Sequence, residues 1–334
     1  MHQRVFQLLI FVLFVHHTIY SNAQKANLVT KGKSADPSFY DICKWSENEY
    51  LVGGENGTVF ILDTSGKISN AGFTFPKDYH ILRLIEADNL VLLGATNGIV
   101  AVIDKESDCM TSYQSKSTSK FCNYDLLALN NNSFLSCGGS SGVAKGKPAL
   151  PSGFIASYNL DDSSKVVSRK VSWRRFNSFV WCFLKIQERN EIYAVVYLFP
   201  GNKSLLLRSV DNGQTWQKHG KIKGLVHQIS YIDSNIYYAG CKNPFYYRDG
   251  IIGNFSNAGE HHVLKGSGCV YDIQKVDDKI IGCTFKGALI TWDANKNPQQ
   301  YQIQNKYPIY EMISIENGKL FTIGHGGSIF VIDF

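Results

Sequence analysis

One phrase recurs seven times along this chain. An aromatic or histidine residue opens an apolar run, a turn follows, a second run ends in small residues, and a third often closes on Asp. Tyr40-Asp41-Ile42 leads to Leu51-Val52-Gly53-Gly54 and then to the run ending at Asp63. His80-Ile81-Leu82 leads to Val91-Leu92-Leu93-Gly94 and then to the run ending at Asp104. Further units open at Tyr124, Trp181, His227, Tyr271 and Tyr310, so successive openers lie 40, 44, 57, 46, 44 and 39 residues apart. A four-stranded propeller blade takes about 40–50 residues. The repeat therefore predicts an all-β chain folded as a seven-bladed β-propeller, an architecture that by itself leaves function open.

Within each unit three clear strands precede a weaker, more polar fourth. Asn56-Gly57, Asn97-Gly98, Asp277-Asp278 and Gly326-Gly327 separate short β-rich runs, as hairpin turns do. The second strands that end in Gly53, Gly94, Cys283 or Gly324 would let neighbouring blades approach closely near the axis. The last unit stops after its third strand, while the orphan run Lys25 to Lys31 resembles an outer strand. The N-terminal strand is therefore expected to complete the seventh blade and close the ring, which removes open sheet edges.

Residues 1–23 read as a secretory signal peptide. Arg4 supplies the basic start, Val5 to Val15 an apolar stretch broken by Gln7, and Ser21-Asn22-Ala23 a small-residue cleavage site. An uncleaved N-terminal anchor is the competing reading. Residues 24–334 would then form one propeller domain, extracytoplasmic (secreted or periplasmic) and monomeric, with no later stretch of transmembrane length. Loss of Arg4 leaves 33 basic against 28 acidic residues, a net +5. That mild charge argues against a nucleic-acid partner. The densest basic cluster (Lys165, Arg169, Lys170, Arg174, Arg175) suits a solvated outer strand that resists edge pairing.

All eight cysteines follow the signal segment, and most fall within strand runs, where Cys behaves as a small buried hydrophobe. Cys109 and Cys122 flank one loop-and-strand excursion and are the candidate disulfide. No C-x-x-C, H-E-x-x-H, G-x-S-x-G or phosphate loop occurs, so no metal, cofactor or catalytic set is assigned. Two insertions, Gly138 to Pro151 and Phe199 to Lys203, fall between second and third strands of adjacent blades. They would share a face, either as binding loops on a rigid scaffold or as neutral variation in loop length.

Ser209-Val210-Asp211-Asn212-Gly213-Gln214-Thr215-Trp216 matches S-x-D-x-G-x-T-W at each specified position. The chain thus resembles the Asp-box (BNR) propellers, a superfamily that includes sialidases, sortilin-type receptors and photosystem assembly factors. Its other units look more like degenerate WD40-like repeats. The resemblance implies a structural turn in which Ser209 and Asp211 bond backbone amides, Gly213 takes positive φ, and Thr215 and Trp216 complete the loop. Sialidase chemistry would need an arginine triad with Tyr, Glu and Asp. The sparse arginines, none of them in the first blade, do not supply it.

One constellation remains. Tyr40, His80, Tyr124, Trp181, His227, Tyr271 and Tyr310 recur at one blade position, and Asp41, Asp125, Asp272 and Glu311 follow four of them. His325, in a turn of the last blade, would face the same way. Such a ring could hold a cation, a sugar or a basic peptide end. Alternatively, the rings fill space between blades and the carboxylates bond neighbouring backbone. The expected function is a non-catalytic binding module for a protein or glycan partner. The alternatives are a propeller enzyme acting on a glycan, marked by a convergent acidic pair in the funnel, and a structural subunit of an extracytoplasmic assembly.

Overall fold

The computed structural model describes residues 26–30, 36–114, 121–140, 143–144, 147–148, 152–160, 167–171, 177–199, 201–244, 246–255, 261–293, 297–303, 307–315 and 318–333. Seven four-stranded antiparallel sheets form the blades. Their innermost strands are Phe39–Lys44, Ile81–Ala87, Phe121–Asn130, Asn177–Ile186, Leu225–Ile232, Val270–Val276 and Ile309–Ile315, for blades 1 to 7. The ring closes as the sequence predicts. Ala26–Thr30 pairs antiparallel with Ile329–Asp333 and becomes the outer strand of blade 7, with Leu28 opposite Phe330.

The core is divided among the seven blade–blade interfaces. In the second strand of blade 1, Leu51 packs towards blade 2 and Val52 towards blade 7. Period-2 alternation therefore sends every side chain of a middle strand into one interface or the other. That is why runs such as Leu90–Ala95 are apolar throughout rather than alternating. Each fully buried Leu, Ile or Val contributes about 1.5–3 kcal/mol. Outer strands are the most exposed: all three residues of Ile68–Asn70 are exposed, and in Gln217–Lys223 only Ile222 is buried.

Small residues at the ends of second strands have two distinct reasons. A Cβ on Gly53 would lie 2.6 Å from Cγ2 of Ile81 in the next blade, and one on Gly94 would lie 3.2 Å from Cβ of Asn123. Gly54, Gly138, Gly240 and Gly324 instead press on a carbonyl of their own blade, and a Cβ on Gly138 would stand 1.8 Å from the Cys122 oxygen. Backbone cannot yield there as a side chain can. Gly138→Ala is expected to cost about 1–3 kcal/mol, measured as a fall in urea midpoint. An unchanged midpoint would show that this contact is not tight.

Cysteine pairing differs from the expectation. Cys109 and Cys122 are both free, and the disulfide joins Cys241 to Cys269, whose Cα atoms are 4.5 Å apart. Cys109 opens the outer strand Cys109–Gln114 of blade 2, and Cys122 lies at the start of the innermost strand of blade 3. The five-step rise along that outer strand, about 3.4 Å per residue, separates them beyond the roughly 4.4–6.8 Å a disulfide spans.

The longer insertion begins later than its composition suggests, because Gly138 and Gly139 lie within Ser133–Ser140. Val143–Ala144 and Lys147–Pro148 pair as a small hairpin, and the rest of residues 141–151 lies outside the described residues. The signal segment, Lys165, Arg174 and Arg175 also lie outside them. Arg169 and Lys170 belong to Val167–Val171, the outer strand of blade 3.

Candidate functional site

Every innermost strand carries one extra residue near its start. In blade 1, Phe39 opposes Gly54 and Asp41 opposes Gly53, so Tyr40 bulges out of the ladder. The same register shift isolates Leu82, Tyr124, Trp181, His227, Tyr271 and Tyr310. A bulge re-aims its side chain, and here seven of them aim seven side chains at the axis. Ring centroids run in sequence around the mouth: Tyr124–Trp181 4.8 Å, Trp181–His227 4.9 Å, His227–Tyr271 4.8 Å, Tyr271–Tyr310 5.4 Å and Tyr310–Tyr40 5.4 Å. Leu82 is the seventh wall. Together they enclose a cavity of about 210 Å³.

His80 is therefore not a member of the ring. It precedes the bulge by two residues, and its Nδ1 accepts from the Asn56 amide at 3.1 Å. Its own amide donates to Thr96 Oγ1 at 3.0 Å. His325 is likewise absent from the cavity wall, with Nδ1 3.0 Å from Ser38 Oγ.

The residue after each bulge faces the channel one layer deeper, and in blade 2 that residue is Arg83. Its Nε donates to Asp125 Oδ1 at 2.8 Å and lies 3.6 Å from Asp41 Oδ2, while Nη1 lies 3.5 Å from Glu311 Oε1. Sequence reasoning passed over Arg83 because it fixed the blade 2 position on His80. Counting back from the paired strand finds it: the partner of the residue after the bulge stands 12, 11 and 12 positions on, at Asp41–Gly53, Arg83–Gly94 and Asp125–Cys137.

Three of the carboxylates also join blades. Asp41 accepts from Ile42 N at 2.8 Å and from Leu84 N, in blade 2, at 2.5 Å. Asp125 accepts from Leu126 N at 2.9 Å and from Phe183 N, in blade 4, at 2.6 Å. Asp272 accepts from Ile273 N at 2.7 Å and Met312 N, in blade 7, at 3.3 Å. Glu311, like Asp125, borders the cavity and faces Arg83.

Four carboxylates around one guanidinium carry a formal charge of −3 when all are ionised. Burial pushes Asp41 and Asp272 up to about 6, against the pull of Arg83. Burial likewise raises Asp125, and burial with the nearby charges of Asp272 and Asp41 holds Glu311 well above the usual carboxylate range. Burial alone would weaken the Arg83 charge, but Asp41, Asp125, Glu311 and Asp272 together overcome it. Burial lowers His227 to about 3, so its imidazole is neutral at physiological pH. Arg83 and Asp125 also border a second space of about 620 Å³ on the other side, so the charged layer plugs the channel between two mouths.

Aromatic side chains extend the rim. Tyr246 and Tyr247, in the loop after Asn235–Cys241, are 76 % and 41 % exposed. Tyr247 holds a φ of +44° and stacks near Phe285 with centroids 5.3 Å apart. A bulky residue in the left-handed region is an outlier of the kind that collects at functional loops. The aromatic run around Pro244 was the available signal in the sequence.

Away from the axis, the turn Ser209–Trp216 links the third and fourth strands of blade 4. Asp211 accepts from Thr215 N at 2.8 Å and from the Thr215 hydroxyl at 2.5 Å, and Ser209 Oγ donates to it at 2.7 Å. Gly213 takes a φ of +81°, and Trp216 stacks on Phe183. The hydrogen bonds are local to the turn, while Trp216 ties it to the innermost strand of the same blade.

No protein-family model and no curated protein matches the chain. Solved structures do. A structure of YCF48 bound to D1 peptide is 14% identical, with a TM-score of 0.64, over 94% of this chain and 96% of that one. The WD40 β-propeller domain of Doa1 is 11% identical, with a TM-score of 0.64, over 93% and 97%. Virginiamycin B lyase from Staphylococcus aureus is 11% identical, with a TM-score of 0.67, over 93% and 99%. At these identities the likeness is one of fold, and it agrees with the strand pairing: the chain is a seven-bladed β-propeller of the architecture shared by WD40 and other propeller proteins.

Proposed function

We propose that this protein is a non-catalytic, extracytoplasmic binding module that draws a cationic side chain of a protein partner into its aromatic mouth. The observation that carries the reading is the run of six successive aromatic rings, completed by Leu82, above a floor with more carboxylates than cations. Aromatic faces attract cations by about 0.5–1 kcal/mol at exposed sites and about 2 when desolvated, and the acidic floor adds the same sign of attraction. At about 210 Å³ the space falls below the roughly 300–1,000 Å³ of drug-sized pockets, so it suits one side chain rather than a glycan chain. Tyr246 and Tyr247 would then contact the partner around that anchor. The D1 peptide in the YCF48 structure supports a peptide as partner.

A peptide array tests this directly. Neutral, acidic, Lys- and Arg-containing sequences would be probed with the full chain. Enrichment of peptides with a single accessible Lys or Arg is expected; selection of acidic or uncharged peptides would sink the reading. Export rests on residues 1–23, and N-terminal sequencing of the protein recovered outside the cytoplasm should begin at Gln24.

Glu311 favours a second reading, an enzyme acting on a glycan, because a raised carboxyl in a cavity is what a general acid needs. Against it, the three aspartates are already engaged by backbone amides. Turnover of aryl glycosides that vanishes in Glu311→Gln would establish the enzyme.

A further inference from the structure

One wall of the aromatic mouth has a second chemistry behind it. His227 Nε2 faces Cys241 Sγ at 3.4 Å, and the donor atoms of His227, Cys241 and Cys269 all lie within 4.8 Å of one another. All three residues are buried, both cysteines completely. They come from two blades: His227 is the bulge of blade 5, Cys241 ends that blade's second strand, and Cys269 precedes the innermost strand of blade 6. Tyr197, Leu225, Trp181 and Phe285 surround them with apolar surface. A disulfide alone requires no imidazole, whereas two sulfurs and a ring nitrogen held together in a dry pocket make a thiophilic donor set.

We propose that His227, Cys241 and Cys269 form a redox-gated Zn(II) site, closed by the disulfide and opened by its reduction. A dithiol reductant gives two electrons and two protons to the Cys241–Cys269 bond, leaving two thiols, and closes to its own disulfide. Incoming Zn(II) then forms two Zn–S bonds and one Zn–N bond, and one proton leaves each thiol for solvent. Zn–S and Zn–N bonds of about 2.3 and 2.0–2.1 Å at tetrahedral angles require a sulfur–nitrogen edge of about 3.6 Å, close to the 3.4 Å present. The sulfurs need only swing apart to about 3.8 Å. Three protein donors leave a fourth position for water or a ligand. The site is independent of the cation-binding reading, although it shares His227 with the ring.

The test uses the full chain, oxidised and after anaerobic reduction, titrated with Zn(II) against a chromophoric chelator. The reduced chain is expected to take up one zinc with release of two protons and to protect Cys241 and Cys269 from alkylation, mapped by peptide mass. The oxidised chain should bind none there. His227→Gln should weaken uptake at least about tenfold, while near-UV circular dichroism checks that it is folded. The proposal is overturned if both thiols alkylate equally fast with and without zinc. It is equally overturned if zinc binds only at other cysteines, if His227→Gln binds as tightly, or if the reduced chain loses its fold.

Discussion

Arg83→Met is expected to destabilise the protein by about 3–5 kcal/mol at pH 7.5, the usual cost of removing one partner from a buried ion pair. Methionine replaces the aliphatic stem of arginine but not its guanidinium, so the loss combines the missing charge with the space the guanidinium filled. Without the guanidinium, Asp41, Asp125 and Glu311 lose the cation beside them, and each must hold a proton or repel the others. The loss should therefore shrink as pH falls. The wild-type protein should show the same sign in milder form. Asp41 and Asp272 are raised to about 6, above the roughly 3.9 of an unfolded aspartate. Between about pH 4 and 6 the folded state thus binds more protons than the unfolded state, and these groups favour folding more as pH falls through 6. Urea midpoints at pH 5.0, 6.0 and 7.5 for both proteins measure this. A variant as stable as wild type at pH 7.5 would remove Arg83 from its place as the keystone of the channel.

Trp181→Ala is expected to weaken binding of a Lys- or Arg-bearing peptide about 30-fold, the equivalent of about 2 kcal/mol for a desolvated cation–aromatic contact. Trp181 touches both Tyr124 and His227, so its loss opens a gap in the ring as well as removing one face. Binding should also depend on pH, with the sign fixed by the floor. A cation favours ionised carboxylates, so it displaces protons from groups raised to about 6. Affinity should rise from pH 5.0 to 7.5 and plateau above. Calorimetry in buffers of different ionisation heat would count the protons released. Affinity that is flat with pH, or unchanged in Trp181→Ala, would mean that the ring fills space between blades and nothing more.

The blades were legible because apolar runs, turns and a regular spacing all specify the same repeat, and the closing strand because one end lacked what the other had spare. The site was half legible. Seven bulge residues share a backbone position, but six are aromatic and Leu82 is not, so composition led two residues astray in blade 2 and hid Arg83 behind it. A bulge leaves no mark in composition; it shows only when residues are counted from the paired strand. The disulfide was misread for a related reason. Cys109 and Cys122 are near in sequence but a strand length apart, whereas Cys241 and Cys269 are 28 residues apart and meet because adjacent blades abut near the axis. Of the two roles weighed for the carboxylates, bonding to neighbouring backbone is the one the strand geometry displays. Asp41, Asp125 and Asp272 bond the backbone of the next blade, while Asp125 and Glu311 also border the cavity.

The most direct measurement is a titration of the full chain with n-butylammonium and with its neutral isostere n-pentane, followed by Trp181 fluorescence against a Trp181→Phe control. These probes carry the end of a lysine side chain with and without its charge. Saturable quenching by the ammonium is expected at pH 7.5, weaker at pH 5.0, with little response to the neutral probe. Equal response to both, or response to neither, would contradict a cation site in the mouth of this propeller.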